Sequence, residues 1–200
     1  MEILKTPILE PCVWNVSSFK DENEWTYTFS EKEIFELEEA AKKIINKKLV
    51  PTSFSKSDFI LDSLNEVLEK QLDILQNGKG FVRLRGLDPK KYDQLTIQII
   101  YWGICSYLGI GIPQNSMGEM MSGVKDYGDK NVGDNPYRQG IRLHRTTAKI
   151  DAHTDSCDHV ALLCVKRAKE GGESGVVSSL AIYNEILKTK PEYLEVLCKG

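Results

Sequence analysis

An α+β fold is predicted by a change of periodicity near residue 80. Before it, two stretches repeat apolar residues at three- and four-residue intervals. From Gly140 the texture is strand and turn, ending in the unbroken apolar run Val160-Ala-Leu-Leu-Cys-Val165. Two hundred residues with 41% hydrophobic content suffice for one buried core. The expected organisation is a mostly helical segment over 1–79, packed on a core domain that occupies 80–200.

The elements follow in order. Trp25-Thr-Tyr-Thr-Phe29 alternates as a short strand would. Ser30 and Glu33 form a capping box that opens a helix with Ile34, Leu37, Ala41, Ile44 and Ile45 on its inner face, and Pro51 forbids its continuation. A second helix is expected from Ser57 or Asp58, with Ile60, Leu61, Leu64, Val67, Leu68, Leu72 and Leu75 on one stripe and a left-handed cap at Asn77-Gly78. Phe81 to Gly86 reads as a strand whose Arg83 and Arg85 face solvent. Asp88-Pro89 then leads into a third helix, roughly 91 to 108, with Leu95, Ile99, Trp102 and Leu108 inward. Met120 to Tyr127 reads as a strand, and the polar stretch Gly128 to Gly140 as a functional loop or lid. Further strands are expected over 141–147, 149–155 and 159–165. The last has no polar member, which predicts burial on both faces. Val176 to Ser178 reads as a short strand, Leu180 to Leu187 as a helix entered from Ser178 or Ser179, and Pro191 as the start of a last helix.

Charge and cysteine usage exclude several classes. The 26 basic and 29 acidic residues leave a net charge of -3, and the Lys and Arg are scattered, so no nucleic-acid footprint is present. Five cysteines without a CxxC pair argue against a disulfide framework or a structural zinc site and for a reducing compartment. The N-terminus has no signal-peptide pattern, and no apolar run approaches the ~20 residues that span a bilayer. A soluble, cytoplasmic protein with no membrane association is expected, with a small molecule as partner.

The chemistry-bearing stretch is Ala152-His153-Thr154-Asp155. On an extended chain alternate side chains share a face, so His153 and Asp155 project together. An imidazole and a carboxylate converging on one point are two-thirds of the two-His, one-carboxylate triad that holds non-haem Fe(II) and leaves the opposite face open. A surface His-X-Asp pair of purely structural meaning has the same spacing. His144, beside Arg145, and His159, at the head of the apolar run, read as structural residues. His159 would become a third ligand only if a tight loop folded it back onto the open face of the metal.

Several motifs occur in one order: Gly80-Phe-Val-Arg-Leu-Arg-Gly86, Pro113-Gln-Asn115 with Gly118-Glu119, Ala152-His-Thr-Asp155, and Gly171-Gly-Glu-Ser174 with Ser178-Ser179. Over residues ~80 to 188 this order resembles the taurine dioxygenase-like (TauD/TfdA) family of iron(II)/2-oxoglutarate-dependent oxygenases. The resemblance implies a double-stranded β-helix, the jelly roll of clavaminate synthase-like proteins, preceded by helices and only partly present in this chain. It implies His153 and Asp155 as two of three iron ligands. Ser174 would hydrogen-bond the distal carboxylate of 2-oxoglutarate, and Asn115 would lie beside the substrate pocket. Because Asp155 is present, hydroxylation or a related oxidation of a small organic substrate by O₂ is implied rather than halogenation.

The family pattern also needs a downstream His and then an Arg for the 2-oxo acid. Here the last His is His159 and the last Arg is Arg167. We therefore expect the chain to be the N-terminal portion of a longer enzyme, truncated at its C-terminus, and inactive and self-associating by itself. The alternative is a non-catalytic binding protein or pseudoenzyme on the same fold, lacking the distal His and Arg.

Overall fold

In the computed structural model, residues 4–115, 117–128 and 143–199 are described. The chain divides into two compact units, one of Met1–Gly109 with Leu162–Gly200 and one of Ile110–Ala161.

The first unit holds the core. Strand β1 (Thr26–Thr28) precedes helix α1 (Glu31–Asn46), which begins at the expected box: the Ser30 hydroxyl accepts the Glu33 N–H, and the Glu33 carboxylate accepts the Ser30 N–H at 2.7 Å. Leu37, Ala40, Ala41 and Ile44 of α1 are buried. Helix α2 is shorter than its apolar stripe predicts, spanning Leu64–Asn77. Its start is capped from outside: the Glu36 carboxylate on α1 accepts the Ser63 N–H at 3.0 Å, the Ser63 hydroxyl at 2.5 Å and the Leu64 N–H at 3.3 Å. The preceding residues form a turn in which the Phe59 N–H bonds the Ser55 carbonyl, so Phe59 and Leu61 are buried while Ile60 faces out. The expected left-handed cap at Gly78 is also corrected. Gly78 has φ -109°, and the positive φ of +79° falls at Gly80.

Strand β2 (Arg83–Arg85) pairs with β1 in parallel, Tyr27 opposite Leu84. Parallel neighbours need a crossover, which α1 and α2 supply. Arg83 and Arg85 both reach the Glu22 carboxylate, at 2.7 and 3.0 Å. The two guanidiniums hold Glu22 below the usual carboxylate range, the hydrogen bond from Arg83 contributing most. Helix α3 (Gln94–Leu108) is capped by Asp93 and carries most of the remaining core, Ile97, Ile99, Ile100, Ile104 and Tyr107. Leu95, expected inward, is exposed. Gly103 is required here, because a Cβ at that position would lie 2.5–2.6 Å from the Phe59 ring. The Tyr107 hydroxyl donates to the Phe59 carbonyl at 2.8 Å and accepts the Leu61 N–H at 2.9 Å, satisfying the irregular segment ahead of α2.

Helices α4 (Ser179–Thr189) and α5 (Pro191–Lys199) complete the unit, with Ser178 as the N-cap of α4 as expected. The strand expected over 176–178 is absent. Val176 and Val177 are exposed coil, and Ser178 is buried. Among the described residues no helix is long and apolar enough to cross a membrane.

In the second unit the strand readings fail. Residues 120–127 have no strand assignment, although the Lys125 and Tyr127 N–H groups bond the His144 and Arg145 carbonyls at 3.1 and 2.9 Å. Leu143–Arg145 is a 3-10 turn, and residues 149–155 are irregular. The run 159–165, which crosses from this unit into the first, is neither a strand nor buried. Val160, Leu162 and Val165 are 58%, 69% and 55% exposed. Among the described residues this run is paired with no neighbouring strand, and without such pairing an apolar run does not become a strand. The expected lid lies outside the described residues except for Gly128.

Candidate metal centre

His153 and Asp155 lie in the second unit, on a segment with no regular secondary structure. His153 Nε2 is 3.9 Å from Asp155 Oδ1, and the two side chains are 56% and 53% exposed. His153 Nδ1 is 2.8 Å from the Asp151 carbonyl oxygen. A carbonyl only accepts, so Nδ1 carries the proton, and in the neutral ring Nε2 keeps its lone pair on the side of Asp155. Fixing the tautomer through the other ring nitrogen is how ligating histidines are generally oriented.

The donor set fits a cation in part. Two cis bonds of about 2.1 Å set their donor atoms about 3.0 Å apart, so these atoms, at 3.9 Å, would have to close by about 0.9 Å to share one face of an octahedral ion. Among the described residues no group of three His, Cys, Asp or Glu side chains is assembled. His159 is half buried, and its carbonyl accepts the Cys157 thiol at 3.4 Å. His144 is half buried in the 3-10 turn, where its carbonyl takes the Lys125 N–H.

Asn115 shares the second unit but is engaged in its own turn. Its Oδ1 accepts the N–H groups of Met117 and Glu119, and its Nδ2 donates to the Glu119 carboxylate. Ser174 belongs to the first unit and is exposed. It follows Gly171 and Gly172, whose φ values of +67° and +78° are the left-handed conformations that glycine adopts without strain. Sequence reasoning did not single out Asp151, whose contribution is a main-chain carbonyl. A role played by backbone leaves no residue-type signature.

Comparison with known proteins bears on the family of the chain. The sequence model of the "Taurine catabolism dioxygenase TauD, TfdA family" matches residues 46–200, which extends N-terminally beyond the motifs that begin at Gly80. The chain is 30% identical over 200 residues to FR-33289 synthase of Streptomyces rubellomurinus (strain ATCC 31215), an alignment covering 100% of this chain and 58% of that protein. It is also 30% identical over 187 residues to the taurine hydroxylase-like protein SAT17 of Stachybotrys chartarum (strain CBS 109288 / IBT 7711), covering 92% of this chain and 48% of that one. The chain thus spans about half the length of the curated relatives it matches. On the match over 46–200, the chain belongs to the Taurine catabolism dioxygenase TauD, TfdA family.

Proposed function

We propose that this chain is the N-terminal part of an iron(II)- and 2-oxoglutarate-dependent dioxygenase that hydroxylates, or otherwise oxidises, a small organic substrate in the cytoplasm. Its complete fold would be the family's jelly roll. The observation that carries the reading is the His153–Asp155 pair at 3.9 Å, with the imidazole held as the Nδ1–H tautomer by the Asp151 carbonyl.

In this reading His153 Nε2 and an Asp155 carboxylate oxygen hold the metal. When bound, Fe(II) supplies the O₂ chemistry that couples decarboxylation of the 2-oxo acid to oxidation of a C–H bond. This chain's residues bind and orient. The Ser174 hydroxyl, presented by the Gly171-Gly172 turn, donates to the distal carboxylate of 2-oxoglutarate, and Asn115 turns its amide toward the substrate once released from Glu119. The two relatives carry names of different activities, a synthase and a hydroxylase-like protein, which is consistent with a shared site serving different small molecules. A third ligand and an Arg for the 2-oxo acid would come from the part of the relatives' length that this chain does not cover.

The experiment is a pair of substitutions in a protein extended to the length of its relatives. His153→Ala should abolish both iron retention, measured by metal analysis, and succinate formation, whereas His159→Ala should retain both. Equal loss in the two variants would show that the wrong histidine has been assigned to the metal. The 200-residue chain alone should form no succinate beyond that produced by free iron. Saturable, iron-dependent turnover by that chain would sink the partial-enzyme reading.

A further inference from the structure

Within the first unit, the N-terminal segment is tied to α4 by hydrogen bonds that reach across most of the sequence. The Tyr183 hydroxyl donates to the Leu4 carbonyl. The Asn184 amide grips Ile8 twice: its Oδ1 accepts the Ile8 N–H at 2.8 Å, and its Nδ2 donates to the Ile8 carbonyl at 2.8 Å. The Ser178 hydroxyl, 6% exposed, donates to the Cys12 carbonyl at 2.6 Å while its oxygen accepts the Ala181 N–H at 3.0 Å. The segment thus runs back along α4 to the helix's first turn. Beyond it, Cys12 and Trp14 line a cavity of about 230 Å³ together with Lys79, Val176, Val177 and Leu180.

The stretch that ends at this anchor has little else to hold it. Among the described residues, Leu162 to Val177 make no hydrogen bond, and Val176 and Val177 are more than half exposed. Ser178 is the first residue after that stretch with a fixed partner, and Ser174 lies four residues before it. The attachment is polar rather than apolar, since Leu4 and Leu9 are 51% and 91% exposed, so loss of one side chain should release it.

We propose that residues 4–12 are a strap which, through Ser178, positions the Gly171–Ser174 stretch and thereby sets the affinity for 2-oxoglutarate. The part concerning 2-oxoglutarate rests on the function proposed above. Ser178 and Asn184 act here as positioning residues.

The chemistry of Ser178 separates strap from helix cap. Ser178→Thr keeps donor and acceptor. Ser178→Asp keeps an acceptor for the Ala181 N–H but, ionised, has no proton to donate to Cys12. Asn184→Leu removes both bonds to Ile8. In the protein extended to its relatives' length and labelled with ¹⁵N-valine, the order parameters of Val176 and Val177 should fall from about 0.8 to below about 0.6 in Asn184→Leu and Ser178→Asp, and should stay near wild type in Ser178→Thr. In the protein extended to its relatives' length and loaded with Fe(II), the same two variants should raise the KM for 2-oxoglutarate by about tenfold with kcat unchanged, and Ser178→Thr should restore it. Unchanged order parameters would overturn the strap. Lowered order parameters with an unchanged KM would overturn its link to the 2-oxo acid. A wild-type protein without 2-oxoglutarate turnover would overturn the functional reading and that link with it, while the valine measurement decides the strap independently.

Discussion

Tyr107→Phe removes one oxygen atom and leaves two buried backbone groups without partners. The hydroxyl sits between the Phe59 carbonyl and the Leu61 N–H, at 2.8 and 2.9 Å, and Phe59, Leu61 and Tyr107 are all buried. Each orphaned buried group costs about 1–3 kcal/mol, so the pair should cost about 2–6 kcal/mol, the lower end applying if a water enters the vacated position. With a urea slope of about 2 kcal/mol/M, the unfolding midpoint should fall by about 1–3 M. Tryptophan fluorescence suits the assay, because Trp102 Nε1–H donates to the Phe54 carbonyl at 2.8 Å on the same irregular segment. Tyr193→Phe, at an exposed ring on α5, is the control and should leave the midpoint in place. A Tyr107→Phe shift below about 0.3 M, or one no larger than the control's, would refute the claim that this hydroxyl satisfies the turn ahead of α2.

Two further outcomes follow from the same core. Gly103→Ala gains about 1 kcal/mol of helix propensity but drives a methyl to 2.5–2.6 Å from the Phe59 ring, an overpacking that costs about 1–3 kcal/mol, so thermal unfolding should show a lowered midpoint; a raised one would mean that the ring moves aside freely. Alkaline pH should destabilise the chain in a defined window. The hydrogen bond to Glu33 pushes Tyr27 up to about 12, burial and then Glu38 push Tyr92 up to about 12, and burial pushes the Cys105 thiol up to about 11. The folded state holds these protons more tightly than the unfolded one, so their stabilisation is complete below about pH 9 and is lost as pH rises through 9 to 12. Urea midpoints measured from pH 8 to 11 should decline, and a flat profile would contradict the assignments.

The parts of the fold legible in the sequence were those written in local contacts. The Ser30–Glu33 box and the Ser178 cap each need only a side chain within three residues, and both helices begin where those signals stand, whereas α3 begins at the unread Asp93 cap and Asp88-Pro89 opens only a short 3-10 turn. The start of α2 was misread because its apolar stripe continues through Phe59 and Leu61. The backbone there is satisfied by Tyr107 and Glu36, partners that no local pattern announces. The strand readings between 143 and 165 failed for a related reason, residues 141 and 142 lying outside the described ones: alternation states which face would be buried, not whether a neighbour is there to bury it. For the site, two-residue spacing led to the expectation of a shared strand face, whereas His153 and Asp155 lie 3.9 Å apart on an irregular segment, and the tautomer-setting carbonyl of Asp151 and the Glu119 partner of Asn115 became visible only in three dimensions.

The parallel pairing of β1 with β2 has a consequence for the order in which this chain can fold. Arg83 Nε reaches the Thr26 hydroxyl across 57 residues of sequence, and the Glu22 clamp on Arg83 and Arg85 spans a comparable stretch. Closing so long a loop carries an entropic penalty that the three-residue strands alone cannot offset. The intervening helices must first shorten the path, with Glu36 in the first half of α1 accepting the N–H groups that open α2. The sheet is therefore a late event that follows the packing of α1 and α2 on α3. Substitutions at Thr26 or Arg83 should mainly accelerate unfolding, while those at Glu36 should slow folding itself.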